Sequence, residues 1–255
     1  MDLRMKFNED VLNYDKMRPT YVDELYRDII QFSGLDSSKD ALEIGIGTGQ
    51  ATKPFLDTKC KLTAVELGED MAMFVKQKFS NFSNFNVING DFEKINLDNN
   101  SYHLVYSATA FHWIPQEVGY KKVFDCLKSG GVIALFWNHP SQADDELYRA
   151  MQVAYNKYMP TVKSTVHKFS EEKCHEITEV IKKYGFIDIK YKLYHQTRMF
   201  NAPQYMALLN TYSDHRALPN DTRILLENEL SEVINNFGGH IDIQDTIDLY
   251  LARKL

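Results

Sequence analysis

Cysteine is scarce in this chain: Cys60, Cys126 and Cys174 are the only three in 255 residues, far apart and without CxxC or metal-ligand spacing. That excludes a disulfide framework and a thiolate metal site, and it reads as the reduced thiols of a cytoplasmic protein. A basic surplus is missing too. Lys and Arg number 29 against 35 Asp and Glu, for a net charge of −6, and no basic run occurs. A nucleic-acid backbone is therefore not the expected partner. No stretch approaches the roughly 20 apolar residues of a membrane span. Residues 1–10 are charged and lack an apolar centre, so neither a signal peptide nor a membrane partner is expected. His139, His167, His175, His195 and His215 show no ligand spacing, so no metal is expected. Repeats and low-complexity linkers are absent.

Aromatic side chains are plentiful, with 15 Tyr, 15 Phe and 2 Trp, and the length suits one α/β domain with additions. Apolar residues at helical spacing (Tyr21, Leu25, Ile29, Phe32) predict a helix over 20–32, stopped by Ser33-Gly34. Strands are predicted at 41–46, 61–67, 85–88, 102–107 and 132–137. Helices are expected between them at 50–56, 69–79 and 116–127, the last ended by Lys128-Ser129-Gly130-Gly131. Beyond Asn138 the pattern gives helices at 144–158 and 171–184, a strand at 186–200, and helices at 203–212 and 221–236. A last strand follows Gly238-Gly239. This rhythm predicts a doubly wound, mainly parallel sheet of seven strands, with its ligand crevice at the carboxyl ends of the strands. The later helices are expected to form a cap over that edge. The chain divides on this reading into a closing segment (1–33), a cofactor-binding core (34–140), and the remaining strands with the cap (141–255).

The most telling stretch is Ala41-Leu42-Glu43-Ile44-Gly45-Ile46-Gly47-Thr48-Gly49-Gln50, an apolar strand that runs into three glycines at alternate positions. Glycine lets bare main chain approach a nucleotide-like ligand and take positive φ. The spacing is not the GxGxxG of dinucleotide sites, and no basic residue follows until Lys53, so a pyrophosphate gains little. Glu66 ends the second predicted strand, where a carboxylate can accept both hydroxyl hydrogens of a ribose. Asp91 follows the third, placed to accept from an amino group such as that of adenine.

ALEIGIGTGQ, AVEL around Glu66, NGDFE around Asp91 and LKSGGVIALFW together resemble the class I S-adenosylmethionine-dependent methyltransferases over almost the whole chain. The likeness is greatest to the small-molecule type 11 group, which includes trans-aconitate methyltransferase-like proteins. It rests on Tyr14-Asp-Lys-Met-Arg18-Pro19-Thr-Tyr21, Ser107-Ala-Thr-Ala-Phe-His112-Trp113 and Asn210-Thr-Tyr212-Ser-Asp-His-Arg216-Ala-Leu.

The resemblance implies a Rossmann-like methyltransferase fold and S-adenosyl-L-methionine as cofactor. It implies that main chain at Gly45, Gly47 and Gly49, with Glu43 nearby, holds the methionine part. Glu66 would bind the ribose, Leu67 would lie beside the adenine, and Asp91 and Phe92 would bracket its edge and face. Ala108 would line the sulfonium side, and Tyr14 and Arg18 would close over the cofactor carboxylate. Many relatives carry Asp where Glu43 stands; the longer side chain is expected to keep the charge and shift its contacts. His112 and Trp113 would position the acceptor. Trp113, Trp137 and Tyr212 would wall an aromatic pocket, and His112, Arg198 and Arg216 would meet an acidic or polar acceptor. The implied reaction is methylation of a small molecule, at a carboxylate or hydroxyl oxygen. The competing classes are a methyltransferase of protein or nucleic acid, a silent cofactor-binding module, and an NAD-dependent oxidoreductase.

Overall fold

The computed structural model describes residues 10–160 and 169–255; residues 1–9 and His167, on which sequence expectations fall, lie outside them. Among the described residues a seven-stranded sheet has the order β3-β2-β1-β4-β5-β7-β6. Its strands are β1 (Asp40–Ile44), β2 (Lys61–Glu66), β3 (Phe85–Asn89), β4 (Tyr102–Ala108), β5 (Leu127–Ser141), β6 (Phe186–Asn201) and β7 (His240–Lys254). The first five run parallel: β1 pairs with β2 and β4, β2 with β3, and β4 with β5. The chain starts in the middle of the sheet and winds outward in both directions. The tips of β1, β2 and β4 therefore share one end, where an open α/β sheet holds its ligand.

Two compact units divide the described residues. The sheet unit comprises Pro19–Asn138, Ser170–Tyr194 and Ile247–Leu255. The helical unit comprises the described residues of Met1–Arg18, His139–Phe169 and His195–Thr246. This grouping departs from the division at residues 33 and 140 expected from sequence. Helix α2 (Asp23–Ser33), expected in the closing segment, is a core element of the sheet unit. Its Leu25 and Ile29 are fully buried in the cluster that holds Phe55 and Tyr106. The apolar spacing that predicts α2 is also what buries it, and Gly34 ends it in the left-handed conformation at φ 60°.

The sheet unit also holds α3 (Lys53–Asp57), α4 (Glu69–Lys78), α5 (Gln116–Cys126) and α7 (Glu172–Lys183). Helix α4 buries Met71, Ala72 and Val75, opens with Glu69 and Asp70, and closes with Lys76 and Lys78, matching charge to both ends of its dipole. Lys128 to Gly131 do not end α5 as expected. They follow Leu127 within the start of β5, where the register against β4 shifts between Tyr102 and Leu104. A Cβ on Gly131 would lie 2.8 Å from the Lys128 carbonyl oxygen, so the irregularity requires glycine there. Cys60, Cys126 and Cys174 are free and buried in this unit.

The helical unit contains α1 (Val11–Met17), α6 (Glu146–Tyr158), α8 (Ala202–Leu209), α9 (Ser213–Arg216) and α10 (Asn220–Asn236). Its core joins Met151 and Ala154 of α6 to Leu226, Leu230 and Ile234 of α10 and to Met206 and Leu209 of α8. Asn201 and Gln204 form a reciprocal capping box at the start of α8. No helix among the described residues is long and apolar enough to cross a membrane.

Candidate active site

The three glycines of the turn after β1 all take positive φ: 70° at Gly45, 57° at Gly47 and 82° at Gly49. Gly45 is also required by packing, because a Cβ there would stand 2.5 Å from the Ala110 Cβ. The Gly47 N–H donates to Glu66 Oε2 at 2.8 Å, and the Gly68 N–H donates to Oε1 at 2.9 Å. One carboxylate thus ties the tip of β2 to the glycine turn. Burial pushes the Glu66 pKa up, while the N–H groups of Gly68, Gly47 and Leu67 work against that rise.

Glu43 behaves differently from expectation. Only 1% of its surface is accessible, and its Oε2 accepts from Thr52 at 2.8 Å and from Tyr106 at 2.7 Å. Burial pushes its pKa up to about 8, so the side chain is mostly protonated at neutral pH rather than charged. It joins β1 to the start of α3 and to β4, and its oxygens are enclosed.

At the tip of β3, Asp91 Oδ1 accepts from the Glu93 N–H at 3.0 Å, and the Lys94 and Ile95 N–H groups return to its carbonyl. Asp91 therefore shapes its own turn. Phe92 is buried, with Lys122 Nζ 5.1 Å from its ring centroid. Asn89 Nδ2 donates to the carbonyls of Glu66 and Leu67 at 3.0 and 3.2 Å, bracing the β2 tip.

Beyond Ala108, Thr109 takes φ 53°, unusual for a β-branched residue. Its hydroxyl lies 2.7 Å from the Tyr21 hydroxyl and accepts from the Asn138 N–H at 3.3 Å. The chain then makes a short 3-10 turn, Phe111–Trp113. His112 and Trp113 are exposed on it, outside the core. Trp137 of β5 is half-buried, and its Nε1–H donates to His112 Nδ1 at 3.0 Å.

In the helical unit, Arg18 is stacked between two tyrosines, its guanidinium 4.9 Å from the Tyr14 ring centroid and 4.6 Å from that of Tyr212. Its Nη2 donates to the Thr211 carbonyl at 2.8 Å. The sequence reading gave Tyr14 and Arg18 one role and Tyr212 another; here the three form one stack. Arg216 Nη1 donates to the Asn210 carbonyl at 3.2 Å. Arg198 makes a two-pronged bond to the buried Asp245, through Nε to Oδ2 and through Nη2 to Oδ1 at 2.9 Å.

Sequence reasoning missed Thr52, Asn89, Thr109 and the link between Trp137 and His112. Only Asn89, beside Gly90, carried a local turn signal. A groove of about 500 Å³ in the sheet unit, lined by Asp28, Phe32, Lys190, Tyr194 and Arg253 among others, contains none of the glycine-turn residues. Its charges are paired within it, Lys192 with Asp28 and Arg253 with Asp188, so it is not the candidate site. Among the described residues no group of three His, Cys, Asp or Glu side chains is placed to hold a metal ion.

Residues 41–131 match the family described as a methyltransferase domain, a span that begins in β1 and ends in β5. An uncharacterised methyltransferase of Schizosaccharomyces pombe is 24% identical over 89% of this chain and 86% of its own length. A malonyl-[acyl-carrier protein] O-methyltransferase of Acetivibrio thermocellus is 32% identical over 61% of this chain and 55% of its own. Among solved structures, the phosphoethanolamine N-methyltransferase 2 of Haemonchus contortus, in complex with S-adenosylhomocysteine, shares the fold. Its TM-score is 0.59 at 13% identity, covering 100% of this chain and 60% of that one. The matched segment takes in the glycine turn, the Glu66 bridge and the β4 tip, and together with the methyltransferase relatives it supports a class I S-adenosylmethionine-dependent methyltransferase.

Proposed function

We propose that this enzyme methylates a small molecule at a carboxylate or hydroxyl oxygen, as a member of the type 11, trans-aconitate methyltransferase-like group. The observation that carries the reading is the exposed pair His112 and Trp113, two and three residues beyond Ala110, which itself packs on Gly45. An imidazole and an indole beside the glycine turn suit a compact polar acceptor. The net charge of −6 supports a small molecule over a nucleic acid. The Acetivibrio relative, whose name records O-methylation of a malonyl group, supports oxygen as the methylated atom.

The residues present fit the cofactor. Glu66 offers about four lone-pair sites. The N–H groups of Gly47, Gly68 and Leu67 leave capacity for a ribose hydroxyl. The main chain of Gly45, Gly47 and Gly49 would hold the methionine part, with Leu67, Asp91 and Phe92 around the adenine and Ala108 toward the sulfonium. Tyr14 and Arg18 would meet the cofactor carboxylate, to which a guanidinium is suited. Glu43 supports the turn from within through Thr52 and Tyr106. When bound, S-adenosylmethionine supplies an activated methyl group on sulfonium. The chain's own task is to align an acceptor lone pair at about 3–3.5 Å and to exclude water. Trp113, Trp137, Tyr212 and Arg216 are assigned to the acceptor.

The test has two arms. Calorimetry is expected to show binding of S-adenosylmethionine or S-adenosylhomocysteine and no response to NAD. Methyl transfer from labelled cofactor is expected to a pool of small carboxylates and alcohols, detected as a product heavier by the mass of CH2. Label found only in added protein or RNA would overturn the acceptor class.

A further inference from the structure

The chain after β3 makes a single helical turn. The Lys94 and Ile95 N–H groups donate to the Asp91 carbonyl at 2.9 and 3.0 Å, and Asp91 Oδ1 accepts from the Glu93 N–H. The exposed Lys94 ammonium lies 3.2 Å from the other carboxylate oxygen. The turn does not continue into a helix, so the carbonyls of Phe92, Glu93 and Ile95 leave it at its negative end without helical donors. Lys122 of α5 meets all three. Its Nζ donates to the Phe92 carbonyl at 2.6 Å, to the Glu93 carbonyl at 3.3 Å, and to the Ile95 carbonyl. An ammonium has three donors and no acceptor, so these three carbonyls use it fully. Lys122 starts from a helix fixed by the buried Tyr120, Val123 and Cys126. Lys121, its neighbour, turns instead to Asp125 at 2.5 Å on the exposed surface. At its other end the turn is tied to β2, because the Gly90 N–H donates to the Glu66 carbonyl at 2.8 Å.

We infer that Lys122 is a positioning residue for the adenine half of the cofactor: it gathers the main chain of the β3 turn and so holds Asp91 and Phe92 in register with Glu66. This rests on the adenine roles proposed for Asp91 and Phe92. Lys122 touches no part of the ligand on this reading; it acts through the backbone of the residues that do. The Glu66 carboxylate and the glycine turn are held by their own bonds to Gly47 and Gly68, which do not pass through Lys122. Loss of Lys122 therefore loosens the groups that read the edge of the base and spares those that hold the ribose and the methionine part. A site built to hydrogen-bond a ligand rejects an analogue with the wrong edge, and that rejection fades once the reading groups drift.

The test compares, by calorimetry on the full chain, S-adenosylhomocysteine with S-inosylhomocysteine, which carries an oxo group and a ring N–H where adenine has its amino group and N1. Wild type is expected to prefer the adenine compound by about tenfold or more. Lys122→Met keeps the length of the side chain and removes its donors. It is expected to lower affinity for the adenine compound about tenfold and for the inosine compound by no more than about threefold, so the preference narrows. Lys121→Met is expected to match wild type on both. A Lys122→Met protein whose preference is as wide as that of wild type, equal weakening on both ligands included, overturns the positioning role. So does a Lys121→Met protein that narrows as much, since surface charge would then be the cause. Lys122→Gln, shorter and uncharged, carries the same comparison with the same outcomes if the methionine variant does not fold. Wild type that binds the two compounds equally, or neither, overturns the adenine reading of Asp91 and Phe92 itself and the role of Lys122 with it.

Discussion

Tyr106 donates its hydroxyl to Glu43 across 2.7 Å, between two residues that are also register partners on β4 and β1. Glu43 sits two residues before Gly45, so its ionisation acts at the base of the glycine turn. Burial lifts the Glu43 pKa to about 8, above the ordinary 4.5, so the native state holds a proton that the unfolded chain releases. The stabilisation is complete below about pH 4.5 and is lost as pH rises through about 8. Glu43→Gln removes this dependence. Urea melts at pH 6 and pH 9 are expected to show the variant gaining on wild type at the higher pH, on the order of a few kcal/mol. Parallel pH profiles would show that Glu43 stays ionised when folded.

Glu66→Ala takes away the acceptor shared by Gly47 and Gly68 as well as the ribose contact proposed for it. Cofactor affinity is expected to fall about tenfold or more, the worth of a hydrogen bond to a charged group. Calorimetry on a variant with native circular dichroism checks this. Unchanged affinity would remove Glu66 from the site.

Gly45→Ala meets both a positive φ and the Ala110 Cβ at 2.5 Å, an atom fixed to the backbone. A loss of about 3 kcal/mol or more is expected. Gly49→Ala also meets a neighbour at 2.5 Å, but this is the far edge of the Phe79 side chain rather than an atom fixed to the backbone, so it should cost less. Adding Ala110→Gly should recover part of the Gly45→Ala loss and none of the Gly49→Ala loss, a coupling that thermal melts of the double variants would read.

Arg198→Met takes the cationic partner from Asp245, whose side chain has no accessible surface. Removing one partner of a buried pair costs about 3–5 kcal/mol. Asp245→Leu combined with Arg198→Met should restore much of it. Equal stability of wild type and the single variant would mean that solvent reaches Asp245 freely.

The alternation of strands and helices was legible because the central parallel strands are apolar on both faces and the longer helices repeat their apolar positions. Leu42 and Ile44 of β1, and Met71 and Val75 of α4, are buried as that pattern requires. The acidic ends of β2 and β3 and the glycine turn were legible for a similar reason, since backbone conformation and strand ends leave local marks. The rest depended on distance along the chain. Trp137 and His112 are 25 residues apart, and Arg18 and Thr211 are 193 apart, so no local pattern signals either contact. The 3-10 turn at Phe111–Trp113 and helix α9 are too short to show a period. Helix α3 begins at Lys53 rather than Gln50 because Thr52 is held by Glu43 at the end of the turn. The glycines at 130 and 131 read as a helix stop because a strand irregularity and a helix end call for the same residue.

Cys60, Cys126 and Cys174 are each accessible over 1% of their surface or less, and burial pushes the Cys126 thiol up to about 12. A maleimide mixed with native enzyme therefore finds almost no thiolate to alkylate. Every label it deposits marks a moment when the sheet unit has opened. Peptide mapping of the labelled sites would turn these three sulfurs into a stopwatch for breathing of the fold, with and without the methyl donor bound.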